Sequence, residues 1–298
     1  MTAIKEKHQR RFHPPRRPTP LPLRVSVVRY LNTAPLVWGL GRGASRRAGY
    51  QLSYAVPAAC AEALRSGRAD VGIIPSIEYQ TIPGLQIIPG IAIASERKVE
   101  SVLLVSRGPA RKARRVALDA SSRTSAALVK ILFAKQWKAE PDYLEARPEL
   151  PTMLEQADAA LLIGDPALRF LLHGPQKELP EVPNVHVYDL AEEWWRLTNL
   201  PFVFAFWAVR AERARSRQTR LVLAKAFRQA RDEGLAHLAE IAREAAGRLG
   251  LPGGQLERYL RHSIQYRLDA PQRAGLESFY RYAHELGLLE RVRPLEFL

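Results

Sequence analysis

RVSVVRYLNTAPLVWGL, residues Arg24–Leu40, decides how this 298-residue chain folds. Val25, Val27 and Tyr30 are residue types that favour an extended, pleated backbone. The run then breaks at Asn32-Thr33-Ala34-Pro35 and resumes as Leu36-Val37-Trp38. Pro35 has its φ preset for the first turn of a helix. The stretch therefore reads as a buried strand, a polar turn and a short helix over 36–40. Asn and Thr stabilise turns by bonding their own backbone, which is the local explanation for Asn32 and Thr33. Their place at the C-terminal end of a buried strand leaves a second role open.

The same strand-then-helix alternation continues outward. YQLSYAVP (Tyr50–Pro57) alternates as a strand, and Pro57 suits the first turn of a helix over 58–66. ADVGIIP (Ala69–Pro75) is a compact buried strand, and LQIIPGIAIAS, ESVLLVS and RRVALD read as three more. ADAALLIGDPALRFL reads as strand, turn and helix around Gly164-Asp165-Pro166, and LPFVFAFWAV (Leu200–Val209) is an aromatic strand. From Ala211 onward Leu221, Ala224, Phe227 and Ala230 follow the helical period. Such alternation predicts an α/β fold with parallel sheets covered on both faces. A second lobe over 106–198 is expected to be inserted into a first lobe of 23–105 plus 199–298. Ligands in such folds bind beyond the C-terminal ends of the strands.

Composition narrows the class. The chain is 47% hydrophobic and 25% charged, an ordinary globular balance. Cys60 is the single cysteine, which rules out an internal disulfide and a cysteine-based zinc site, and points to a reducing, cytoplasmic compartment. No apolar run is long enough for a membrane span. The net charge of +15 is partly held in residues 1–22, where Lys5, Lys7, Arg10, Arg11, Arg16 and Arg17 face only Glu6. This basic, Pro-rich arm is expected to be disordered and lacks the apolar core of a secretory signal. Much of the remaining charge is Arg on the C-terminal helices, such as Arg213, Arg215, Arg217 and Arg220, read as a solvated face. No nucleic-acid-binding module interleaves aromatics with these charges, so nucleic acid is not an expected partner.

Four strand ends bear small polar groups: Tyr30-Leu31-Asn32-Thr33, Ser76-Ile77-Glu78-Tyr79, Ser121-Ser122-Arg123-Thr124-Ser125 and Gly164-Asp165. The third is the most informative. Hydroxyls at a helix start gather side-chain donors and free backbone N–H groups where the helix dipole favours an anion. Arg123 adds a possible bidentate carboxylate contact. Plain N-capping would need only one hydroxyl. The seven His avoid all four strand ends, and neither a metal-ligand His pair nor a nucleophile elbow nor a phosphate-binding Gly loop is present. No metal and no cofactor is expected. Asn, Ser, Thr and backbone dipoles suit the binding of a small carboxylate, and catalysis only of a substrate already inclined to react.

RVSVVRYLNTAPLVWGL, ALRSGRADVGIIPSIEY, PGIAIASERKVESVLLVS, VALDASSRTSAALVKILF, ADAALLIGDPAL and LPFVFAFWA, in that order, closely resemble the chorismate dehydratase family of the futalosine route to menaquinone. The resemblance is dense over 23–210 and looser beyond. It implies a two-lobed type 2 periplasmic-binding-protein-like fold with an interlobe ligand cleft. It also implies a cofactor-free lyase, a hydro-lyase that converts chorismate to 3-[(1-carboxyvinyl)oxy]benzoate and water. The family's catalytic Asn maps onto Asn32, and the serine opening its S-V-L-L block maps onto Ser101. Tyr30, Thr33, Ser76, Ser121, Ser122, Arg123, Thr124, Gly164 and Asp165 are then the expected substrate-binding residues. Many relatives carry Arg or Lys before the Pro of the first block, where this chain has Ala34. The resemblance leaves Arg123 or Arg29 to hold a substrate carboxylate instead. Two rival readings share the fold: a non-catalytic solute-binding protein, and the pathway's dihydroxynaphthoate-forming enzyme, for which a basic His in the cleft would be expected.

Overall fold

The structure, a computed structural model, describes residues 22–40, 49–180, 182 and 184–298. The expected arm over 1–22 lies, apart from Pro22, outside the described residues.

The first lobe begins with β1 (Leu23–Val28), a 3-10 turn (Leu31–Thr33) and α1 (Ala34–Val37). It continues through β2 (Tyr50–Ala55), α2 (Pro57–Arg65), β3 (Val71–Pro75), α3 (Glu78–Thr81) and β4 (Leu85–Ser95). The chain then crosses into the second lobe: β5 (Val102–Ser106), β6 (Arg115–Asp119), α4 (Arg123–Leu132), β7 (Asp142–Ala146), α5 (Leu150–Gln156), β8 (Ala159–Ile163), α6 (Gly164–His173), α7 (Pro175–Glu178), β9 (His186–Asp189) and α8 (Leu190–Thr198). It returns as β10 (Phe202–Arg210) and ends in α9 (Arg217–Ala236), α10 (Leu238–Leu249), α11 (Gly253–His262) and α12 (Ala270–Glu285).

The two sheets run β2-β1-β3-β10-β4 and β7-β6-β8-β5-β9. They are mixed rather than purely parallel. β10 is antiparallel to β3 and β4, and β5 is antiparallel to β8 and β9. Each exception is the first strand after a crossover. A strand arriving from the other lobe enters at the cleft, where the parallel strands end, and so must run against them. β5 thus belongs to the second sheet, although a lobe boundary after residue 105 would leave nearly all of it in the first. Both crossovers hold a non-glycine residue at positive φ: Glu100 at 59° and Asn199 at 56°.

The central strands β3, β5 and β8 are buried throughout, as strands covered on both faces must be. In the first lobe Trp207 of β10 packs edge-on against Phe227 of α9, with centroids 4.9 Å apart. α9 also clamps the opening motif. A Cβ on Gly234 would lie 1.9 Å from the Pro35 carbonyl oxygen, so only glycine permits this crossing of α9 over α1. The strand-turn-helix motif is thereby fixed from behind, with its polar turn facing the cleft.

Candidate active site

The C-terminal ends of β1, β3, β6 and β8 converge between the lobes on a partly open cavity. Its walls are mostly apolar, including Val28, Pro57, Pro75, Val102, Ile163 and Phe204. Its polar lining comes from Tyr30, Asn32 and Thr33 on one lobe and from Ser122, Thr124 and Ser125 on the other. Among the described residues, no Lys, Arg, His, Asp or Glu lines it.

The first wall is the turn after β1. Thr33 Oγ1 donates to Asn32 Oδ1 at 3.3 Å, which is the local bond expected of a turn. That bond engages only the carbonyl end of the Asn32 side chain. Tyr30 stacks its ring over Gly164. Burial, opposed by the nearby Ser121 hydroxyl and reinforced by the charges of Asp119 and Asp165, pushes its phenol up to about 12. Tyr30 therefore stays neutral at working pH.

The second wall is the start of α4. Ser122 is the N-cap residue, yet its hydroxyl makes no capping bond and faces the cavity. Thr124 Oγ1 accepts the Ile77 N–H at 3.2 Å and so pins α4 to the first lobe. The unpaired N–H groups of the first helical turn and the positive end of the dipole are directed at the same space. This is an anion-receiving arrangement without a formal cation.

Of the expected site residues, the structure gathers Tyr30, Asn32, Thr33, Ser122, Thr124 and Gly164 around the cavity. Five others do not line it. Ser76 donates to the Val203 carbonyl at 2.8 Å. Ser121 donates its hydroxyl and its N–H to Asp119 Oδ1 at 2.7 and 2.8 Å. Asp119 itself is buried, its carboxyl pushed up by burial against the lowering effect of the Ser121 bonds, and its Oδ2 has no hydrogen-bond partner among the described residues. Asp165 accepts the Leu31 N–H at 2.8 Å through Oδ1 and binds Arg248 at 2.9 Å through Oδ2. It fastens the opening turn to the second lobe. Ser101 is fully buried just behind the Val102 wall and accepts the Tyr259 hydroxyl at 2.8 Å.

Arg123 is the fifth. It is half exposed and turns away from the cavity toward Glu78 (3.9 Å) and Glu145 (3.6 Å). It lines a wider groove on the far flank of α4. Arg29 is exposed on another surface and likewise does not line the cavity. The alternation of a strand-to-helix turn explains Arg123: Ser122 and Thr124 face inward, and the residue between them faces out.

Tyr259 and the apolar wall residues carry no sequence signal of their own. Tyr259 sits in an ordinary amphipathic helix more than 150 residues from Ser101 in the chain, and only folding places it there. Among the described residues no cluster of metal-ligand side chains is present, and no helix is long and apolar enough to cross a membrane.

Comparison with known proteins adds three findings. A family profile described as menaquinone biosynthesis matches residues 23–285. The chain is 37% identical over 276 residues to the chorismate dehydratase of Thermus thermophilus, covering 90% of this chain and 96% of that protein. Its fold matches those of AF1704 from Archaeoglobus fulgidus and of the periplasmic aliphatic sulphonate binding protein SsuA from Escherichia coli. The TM-scores are 0.67 and 0.64, each at 17% identity. The first covers 89% of this chain and 98% of the other, and the second 94% of both. The architecture is accordingly that of a two-lobed periplasmic-binding-protein-like fold.

Proposed function

Because the chain belongs to the menaquinone biosynthesis family, we propose that it is a chorismate dehydratase acting in the cytoplasm. The reaction removes water from chorismate and leaves 3-[(1-carboxyvinyl)oxy]benzoate, which makes it a carbon–oxygen lyase of the hydro-lyase type. The observation that carries the reading is the cavity's chemistry: an apolar slot with neutral donors from both lobes and, among the described residues, no side-chain base.

Chorismate suits such a site. It is a dianion with a doubly unsaturated, not yet aromatic ring. The apolar walls take the ring, and the Ser122–Ser125 end of α4 takes a carboxylate through hydroxyls and free N–H groups. Asn32 and Thr33 face the other lobe's donors across the ring. Loss of the ring hydroxyl with the neighbouring ring proton creates an aromatic product, so the step has a strong internal driving force. The site's task is to fix the reacting groups and stabilise charge as the hydroxyl departs. Asn32, which lines the cavity, and Ser101, buried just behind its Val102 wall, are assigned to that hydroxyl or to the enolpyruvyl carboxylate. The proton passes to the substrate's own carboxylate or to a bound water.

Incubation of the protein with chorismate, followed by mass identification of the product, tests the reading. A product lighter by one water is expected. Unchanged chorismate would overturn it. Asn32→Ala and Ser101→Ala are each expected to lower turnover by about 100-fold, the scale of losing a preorganised donor. Full turnover in both would remove these residues from the mechanism.

A further inference from the structure

We propose that Tyr259 is a positioning residue for this dehydration: its hydroxyl sets the direction in which Ser101 presents its donor. The proposal rests on the reading of Ser101 as a site residue.

Tyr259 is 2% exposed, and its hydroxyl donates to Ser101 Oγ at 2.8 Å. A serine hydroxyl has one proton and two acceptor positions. With an acceptor position filled from the α11 side, the Ser101 proton is left for an acceptor on the cavity side. The Ser101 carbonyl is already engaged by the Gly164 N–H at 2.7 Å, so the backbone here cannot turn. Asn32, on the facing turn, accepts the Thr33 hydroxyl through Oδ1 at 3.3 Å.

The helix that holds Tyr259 is itself tied to the crossover. Ser263 Oγ donates to Glu100 Oε2 at 2.5 Å, and Ala94 and Gln265 exchange backbone bonds of 2.9 and 2.8 Å. Burial, opposed by the Ser101 bond and reinforced by the charges of Asp165 and Glu100, holds the phenol far above its ordinary range. Neighbouring Tyr266 is buried likewise. A phenol that does not ionise serves as a fixed donor and not as a proton carrier.

The test is Tyr259→Phe, which keeps the ring and removes the hydroxyl. The expected result is a fall in kcat of about 10- to 100-fold with KM changed by less than about 3-fold, the scale of one or two buried hydrogen bonds. The shape of the pH profile should not change. Combined with Ser101→Ala, the double variant should be no slower than Ser101→Ala alone, since Tyr259 acts through Ser101. Wild-type kcat in Tyr259→Phe, a double loss equal to the product of the single losses, or disappearance of an alkaline limb would each overturn the proposal. Impaired Ser101→Ala beside unimpaired Tyr259→Phe sinks the proposal alone. Full turnover in Ser101→Ala sinks the site reading with it. A readout without substitution is the Tyr259 hydroxyl proton in NMR spectra of the native protein. Slow exchange with cross-relaxation to the Ser101 methylene is expected, and rapid exchange would count against the bond.

Discussion

The ring of Tyr30 lies so close to Gly164 that a Cβ on Gly164 would stand 2.5 Å from Tyr30 Cδ2. Gly164 also adopts φ of +65°, which other residues reach only with strain. One residue from each lobe thereby shares a contact that tolerates no side-chain atom. Gly164→Ala is expected to lose about 1–2 kcal/mol from the backbone alone, with further loss as Tyr30 is displaced. Turnover should fall with it, because Tyr30 leads directly into Asn32. Urea unfolding and chorismate turnover on the same sample would check this, and native-like values in both would contradict it.

Asp165 separates two effects that its charge alone would confuse. Its bond to the buried Leu31 N–H needs an acceptor oxygen, whereas its pair with the half-exposed Arg248 needs a charge. Asp165→Asn keeps the oxygen and should cost little, because exposed pairs contribute less than about 1 kcal/mol. Asp165→Ala leaves the Leu31 N–H unsatisfied and should cost about 1–3 kcal/mol. The opening turn would loosen, so KM for chorismate should rise in Asp165→Ala and stay near native in Asp165→Asn. Equal KM values in the two variants would refute this division.

Arg123 provides a negative prediction. Its partners are Glu78 and Glu145, and it faces the groove beyond α4. Arg123→Gln should leave kcat/KM within about 3-fold of native, since such exposed pairs are worth less than about 1 kcal/mol. A loss beyond about 10-fold, more than a surface pair supplies, would mean that the side chain reaches the substrate.

Asp189 makes stability depend on pH. Its carboxylate accepts the N–H groups of Ala191 and Glu192 at the start of α8 and those of Val99 and Glu100 in the crossover. Burial nevertheless outweighs these bonds and raises its pKa to about 6. The folded protein therefore holds this proton more tightly than the unfolded chain does. The resulting stabilisation is complete below the ordinary carboxylate value and is lost as pH rises through about 6. The contribution is of order 3 kcal/mol between those limits. Asp189→Asn should be less stable overall and should lack this decline. Denaturant midpoints for both proteins between pH 4 and 7 would show it, and parallel curves would contradict the assignment.

What was legible in the chain is what neighbouring residues decide together. The hydrophobic run, the break at Asn32-Thr33 and a helix start beside Pro35 all follow from propensities acting over a few residues; the structure keeps the strand and the break, and runs the helix over Ala34–Val37 rather than the expected 36–40. The alternation of strands and helices, and the polar strand ends as the place to look, follow from the same short-range physics. The lobe crossing was legible only in part. Nothing local to β5 says that it will run antiparallel in the second sheet, because that depends on which end of the sheet it enters.

The tertiary structure decided which polar groups are available. Ser122 and Ser121 are adjacent and chemically alike, yet one faces the cavity and the other is committed to Asp119. Asp165 and Arg123 looked like ligand-binding groups, but distant residues had claims on both: Leu31 and Arg248 on the first, Glu78 on the second. Tyr259 had no signal at all until folding set it against Ser101. A periodicity records which face of an element is buried. It does not record what lies opposite that face, and partners met only on folding, for Asp165 and Ser101 more than a hundred residues away, determine whether a polar side chain is free to meet a ligand.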